Sequence, residues 1–160
     1  MSIYMQINEI KGNVTTEGFA NTIEIISLSE SIERYVSPML AGRNTDRQAG
    51  SIAYQAIEII KVVDQSSMAL YSALHKSDTL ATVKITFTRT HLNEITPFLE
   101  YTLSEVLITG IHTITTYNKL IETILLNFTK IQKRFIPATP QNTSSSPVVA
   151  GYDIKIASAF

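Results

Sequence analysis

The chain has no cysteine and no tryptophan, six glycines and five prolines in 160 residues, and only 17% charged residues. Without cysteine there is no disulfide framework, no thiolate nucleophile and no cysteine-ligated metal site. Charge of one sign is also missing. Lys plus Arg is 13 and Asp plus Glu is 14, a net charge of −1, so no basic excess is available to neutralise a phosphate backbone and nucleic acid is not an expected partner. Long apolar runs are absent, because none approaches the roughly 18 residues that a spanning helix needs. The longest uncharged stretch, Phe135 to Tyr152, is broken by three prolines and many polar side chains. Met1 to Glu9 carries neither a basic n-region nor a long apolar core, so the expectation is synthesis in the cytoplasm and export without a cleaved signal peptide. The shortage of charge has one more consequence. A small monomer usually carries about 25–35% charged residues on its surface, and the deficit suggests that copies of the chain cover part of it.

What is present points to β structure. Ile, Val and Thr number 22, 8 and 19; branching at Cβ stiffens the first side-chain torsion and suits a pleated surface. At this length folding buries roughly 70% of the unfolded surface, enough for one core and a single domain over residues 1–160. Ile3, Met5 and Ile7 alternate in a first strand that ends at Lys11-Gly12-Asn13. In Thr22 to Ser31 the apolar face switches between Ile25 and Ile26, the pattern of a bulge or of a strand partly buried on both sides. Pro38 to Gly50 reads as an extended loop bearing Arg43, Asp46 and Arg47, longer than the usual connection of about 4–6 residues. Ile52 to Asp64 reads as one strand, with Ile57, Ile59 and Lys61 on one face. Ser66 or Ser67 then resembles an N-cap for a helix ending at Lys76, with Leu70, Ala73 and Leu74 as its apolar stripe.

Val83, Ile85 and Phe87 alternate in a further strand, and Leu92 to Ile95 reads as a turn. Phe98 to Ile108 and Glu122 to Ile136 read as strands, with Gly110 as a bend. A flexible loop is expected over 137–147, and Val148 to Ile156 is a last short strand. Seven or eight strands with one helix favour a barrel or a sandwich.

Catalytic chemistry is not visible. His75, His91 and His112 show no HxH or HExxH spacing, and there is no GxSxG elbow and no glycine-rich phosphate cradle. Glu9, Asp64 and Glu122 read as surface, turn or strand-end carboxylates rather than an acid/base pair. Tyr4, Tyr54, Tyr71, Phe87, Phe98, Tyr101 and Phe128 fall at core spacing. Neither an enzyme nor a cofactor or metal site is expected; assembly or binding is.

The order of these segments resembles the Hcp (haemolysin-coregulated protein) family, the tube proteins of type VI secretion systems. The likeness rests on Met5-Gln6-Ile7-Asn8-Glu9-Ile10-Lys11-Gly12, on Ile23 to Ser29, and best on Ile60 to Leu70, where a Lys, an Asp and a Ser-led helix follow at the family's spacing. It continues through Val83 to Arg89, Phe98 to Ile108, Glu122 to Ile131 and Gly151-Tyr152-Asp153-Ile154. Leu28 and Tyr152 stand where the family often has an aromatic residue and a Trp. The resemblance implies a mainly β fold, a small β-barrel of two packed sheets with one short helix, similar to phage tail-tube proteins. It implies hexameric rings stacked into a tube that a contractile sheath expels with effectors, and hence self-association and sheath, spike and baseplate partners. It nominates Arg43, Asp46 and Arg47 for contacts between rings. It also nominates Ser27 and Ser29 for the lumen, although serines at a strand end equally serve local backbone groups. The competing expectation is a soluble β-barrel that carries a small apolar ligand.

Overall fold

Alternating β-branched side chains become strands where one face can be buried, and that condition sets where each strand starts and stops. The computed structural model describes residues 1–38, 41–42, 49–91, 94–137 and 146–160, with His91 described by its backbone alone. The elements are β1 (Ser2–Ile7), β2 (Ile23–Ile25), β3 (Ser27–Ser29), β4 (Ile32–Val36), β5 (Ala49–Tyr54), β6 (Ile57–Val62), α1 (Ser66–Lys76), β7 (Leu80–His91), β8 (Glu94–Thr116), β9 (Lys119–Asn127), β10 (Lys130–Phe135), β11 (Val148–Asp153) and β12 (Ser158–Ala159).

The architecture is mainly β, two sheets with one short helix. The first sheet runs β12-β11-β10-β8-β7-β1-β2 and the second β3-β6-β9-β8. The chain is thus not one continuously bonded barrel. Among the described residues three segments pass from sheet to sheet, one of them at Phe128 and Thr129 between β9 and β10. β8 pairs with β7 up to Val106 and with β9 from Leu107 onward, and the change of course falls at Glu105, whose φ is 50°. The segment 23–29 changes sheet at Ile26, where pairing to β1 ends and pairing to β6 begins. The switch of apolar face at Ile26 in the sequence marks that crossing.

Between the sheets lies a core that includes Met5, Ile23, Ile57, Ile59, Val83, Ile85, Leu103, Ile124 and Leu126, all fully buried. Each such side chain contributes about 1.5–3 kcal/mol on leaving water. These side chains occupy the space that a carried ligand would need. Leu70 and Ala73 of α1 belong to the same core, and Leu74 packs against it. Tyr4 and Phe128 are buried, but Tyr71 is 53% exposed on the outer side of α1 and is not a core residue.

Several boundaries differ from the sequence expectation. Ile52 to Asp64 is two strands, because among the described residues β5 pairs only with β4 in a separate two-stranded ribbon while β6 joins the second sheet. The N-cap of α1 is Gln65, which makes no side-chain cap bond. Asp64 supplies the missing acceptor instead, its Oδ1 receiving the Ser66 N–H at 2.9 Å. The strand expected to end at Ile108 continues to Thr116 and returns as β9 through Tyr117 and Asn118, with φ 48° and 59°. Two consecutive left-handed residues form the tight turn whose twist matches paired strands. Glu122 to Ile136 is interrupted at Phe128 and Thr129, where the chain leaves the second sheet for the first. The expected loops 38–50 and 137–147 fall largely on residues 39–40, 43–48 and 138–145, outside the described residues.

Candidate functional site

The polar groups that matter most lie inside. Ile57, Ile59 and Lys61 share a face of β6, so the alternation that buries two isoleucines buries a lysine with them, and Lys61 is 0% exposed. Its Nζ donates to Glu122 Oε1 at 2.7 Å, Asp64 Oδ1 at 2.8 Å, Ser67 Oγ at 3.1 Å and the Val62 carbonyl at 3.0 Å. Ser67 Oγ donates to Glu122 Oε1 at 2.6 Å and accepts the Asp64 N–H at 3.0 Å. A buried ammonium is tolerable only when paired and hydrogen-bonded in this way. The network joins β6, β9 and the start of α1. Burial works against the Asp64 carboxylate, but hydrogen bonds from Lys61 and Ser66 and the Lys61 charge prevail and hold it below the usual carboxylate range. Glu122 is therefore a core residue, not the surface or strand-end carboxylate expected. Its alternation with Ile124, Leu126 and Phe128 was the signal for this.

Two further clusters tie strands together. Glu100 of β8 lies between Lys84 of β7 and Arg134 of β10, each at 2.8 Å. Burial opposes its charge, yet bonds to Lys84 and Arg134 hold the carboxyl below its ordinary range. Glu30 receives Lys133 Nζ at 2.5 Å, and that ammonium also lies 4.6 Å from the Tyr101 ring centre. Burial disfavours the charged lysine, but Glu30 outweighs it and raises the Lys133 pKa. Ser66 and Ser67 do stand beside carboxylates, but both serines are buried and their hydroxyls are committed to Asp64 and Glu122 in the network around Lys61. His75 packs its ring on Tyr71 and His112 is exposed. Among the described residues no group of three or more His, Asp or Glu side chains is placed to hold a metal.

The remaining candidates are surfaces. Ser27 and Ser29 of β3 pair with Ile60 and Glu58 and lie on the face of the second sheet opposite to the core, since Leu28 between them packs inward. The same face carries Thr123, Leu125, His112 and Ile114, by their register with β6 and within the β8–β9 hairpin. Neither serine makes a side-chain hydrogen bond among the described residues, so the local-backbone reading of their hydroxyls gains no support. Arg43, Asp46 and Arg47 lie outside the described residues; in the sequence they fall between β4 and β5, whose last registered pair is Val36 and Ala49. The two sheet edges were not read from the sequence. β3 pairs only with β6, and from Leu107 to Thr116 β8 pairs only with β9 among the described residues.

Solved structures share this arrangement. A type six secretion system protein superposes with a TM-score of 0.89 at 15% identity, covering 99% of both chains. Hcp1 from Salmonella typhimurium gives 0.80 at 18% identity over 99% of this chain and 98% of that one. The secreted protein Hcp3 from Pseudomonas aeruginosa gives 0.65 at 17% identity over 95% and 97%. At such identities the likeness defines the fold, that of type VI secretion proteins. No curated protein matches the sequence. The family model described as type VI secretion system effector, Hcp, matches residues 4–135. The chain belongs to the Hcp family of type VI secretion, whose members are structural, secreted tube proteins.

Proposed function

We propose that six copies of this chain close a head-to-tail ring, that rings stack into a tube, and that the tube is expelled by a contractile sheath together with effectors. The observation that supports this reading most is the second sheet, which among the described residues ends on two different open edges, β3 and the distal half of β8. An open edge offers unpaired N–H and C=O groups to another chain. Two unlike edges on one subunit suit a heterologous interface, which closes into a ring when the rotation permits. The distal half of β8 contains no lysine, arginine or carboxylate from Leu107 to Thr116, so nothing in its composition guards it against pairing. In this reading the face bearing Ser27 and Ser29 lines the lumen, and Arg43, Asp46 and Arg47 reach the neighbouring ring. Sheath, spike, baseplate and effector proteins are the partners.

Light scattering tests the ring. The mass should be six times the 17.8 kDa of the chain, in concentration-dependent exchange with monomer. A strict monomer at all concentrations and salt levels contradicts the proposal.

A further inference from the structure

On the coreless face of the second sheet, the register of β8 slips between Ile108 and Gly110. Gly110 then stands opposite Leu125 with no side chain of its own. A Cβ there would lie 3.1 Å from Leu125 Cδ1, so the Leu125 side chain packs over the glycine and forms one wall of a depression. The hollow measures about 400 Å³ and is lined by Glu58, Gly110, Ile111, His112, Thr123 and Leu125. Its floor is apolar, and one charged group stands beside it.

That group is unlike the other partly or fully buried carboxylates among the described residues, each of which has a partner. Glu30, Asp64, Glu100 and Glu122 each hold a lysine or arginine, and Asp153 accepts the Lys155 backbone N–H at 3.0 Å. Glu58 is half-buried and has neither an ion pair nor a hydrogen bond among the described residues. No lysine or arginine shares this face between β3 and Ile114; the nearest by register is Lys119, at the hairpin turn. An apolar hollow with an unpaired carboxylate fits one side-chain chemistry, an alkyl stem ending in a cation. The stem covers Leu125, and the head meets Glu58.

The geometry points to this hollow as the seat of a lysine or arginine side chain on a protein passenger inside the tube. The assignment rests on the reading that this face lines the lumen. A ring repeats the hollow six times in that reading, so a passenger with several basic residues is held by many weak contacts, and its retention exceeds that of any single site.

The probe is a fluorescein-labelled peptide of alternating leucine and lysine, compared with its leucine–glutamate counterpart by fluorescence polarisation. Light scattering on the same samples reads the ring. The lysine peptide should bind the wild-type ring and the glutamate peptide should not. Glu58→Gln keeps the volume and removes the charge, and should weaken binding about tenfold, as for loss of a charged hydrogen-bond partner. Rings should stay intact in this variant. Equal binding of the two peptides, or unchanged binding by intact Glu58→Gln rings, overturns the hollow and leaves the tube reading standing. Loss of the ring itself in Glu58→Gln means that a second copy supplies the cation, which also overturns a passenger site. A wild-type chain that stays monomeric removes the tube reading and this proposal together.

Discussion

Lys61 Nζ and Glu122 Oε1 lie 2.7 Å apart, with side chains 0% and 5% exposed, although 61 positions separate them in the chain. This contact fastens β6 to β9 and brings the start of α1 to both through Ser67 and Asp64. Replacing one partner leaves the other charge buried and uncompensated. Lys61→Met should therefore cost about 3–5 kcal/mol in urea denaturation. The double change Lys61→Met with Glu122→Leu should recover much of that loss, because paired apolar replacement removes both desolvation costs. A single variant as stable as the parent contradicts the role assigned to the pair.

Gly12 is required by close backbone approach. A Cβ on it would lie 2.2 Å from the Thr22 carbonyl oxygen, while its N–H donates to Asn21 at 2.9 Å and its carbonyl accepts Gln65 Nε2 at 2.5 Å. Gly12→Ala should move backbone at the entry to β2 and lower stability by about 2 kcal/mol or more, within the range of large single-site effects. The midpoint of thermal unfolding checks it, and an unchanged midpoint removes the argument.

Acid should unfold the protein through Asp64 and Glu100. Both carboxyls are held below their ordinary values in the fold, so the stability they contribute is present above the unfolded pKa of about 4. It is lost as pH falls through the lower folded values. Unfolding free energy should drop steadily below about pH 4, and Glu100→Gln should flatten that slope. Lys133 works with the opposite sign: its raised pKa keeps its contribution present below the unfolded value and loses it as pH rises through the folded one. A flat profile between neutral and strongly acidic pH contradicts the carboxylate assignment.

Shortening 38–48 to an Asn-Gly turn should separate folding from tube assembly. Among the described residues the β4–β5 ribbon pairs only with itself, and changes of loop length alter closure entropy by about a kilocalorie or less. The shortened protein should melt near the parent temperature and form single rings, while its secretion falls sharply. Unfolding, or secretion at the parent level, removes these residues from the contact between rings.

Period-2 alternation was legible in β1 and β7, and the sequence alone determined that these are strands and that Leu70, Ala73 and Leu74 dock a single helix; it placed β6 and β10 only inside longer runs that the fold divides. It placed Lys61 in line with Ile57 and Ile59, and the face switch at Ile26 marked the crossing between sheets. The family, too, was readable from the ordered segments. Tertiary structure alone decided the rest, because each remaining feature depends on a partner distant in the chain. Glu122 becomes a core residue only when β9 lies beside β6 and brings it to Lys61. The hairpin at Tyr117 and Asn118 carries no glycine, and its pairing across β8 and β9 compels two left-handed residues. Gly110 is a bend in the sequence and part of the wall of a hollow in the fold, since only the register of β8 with β9 and β6 brings Leu125 over it and Glu58 into the same lining.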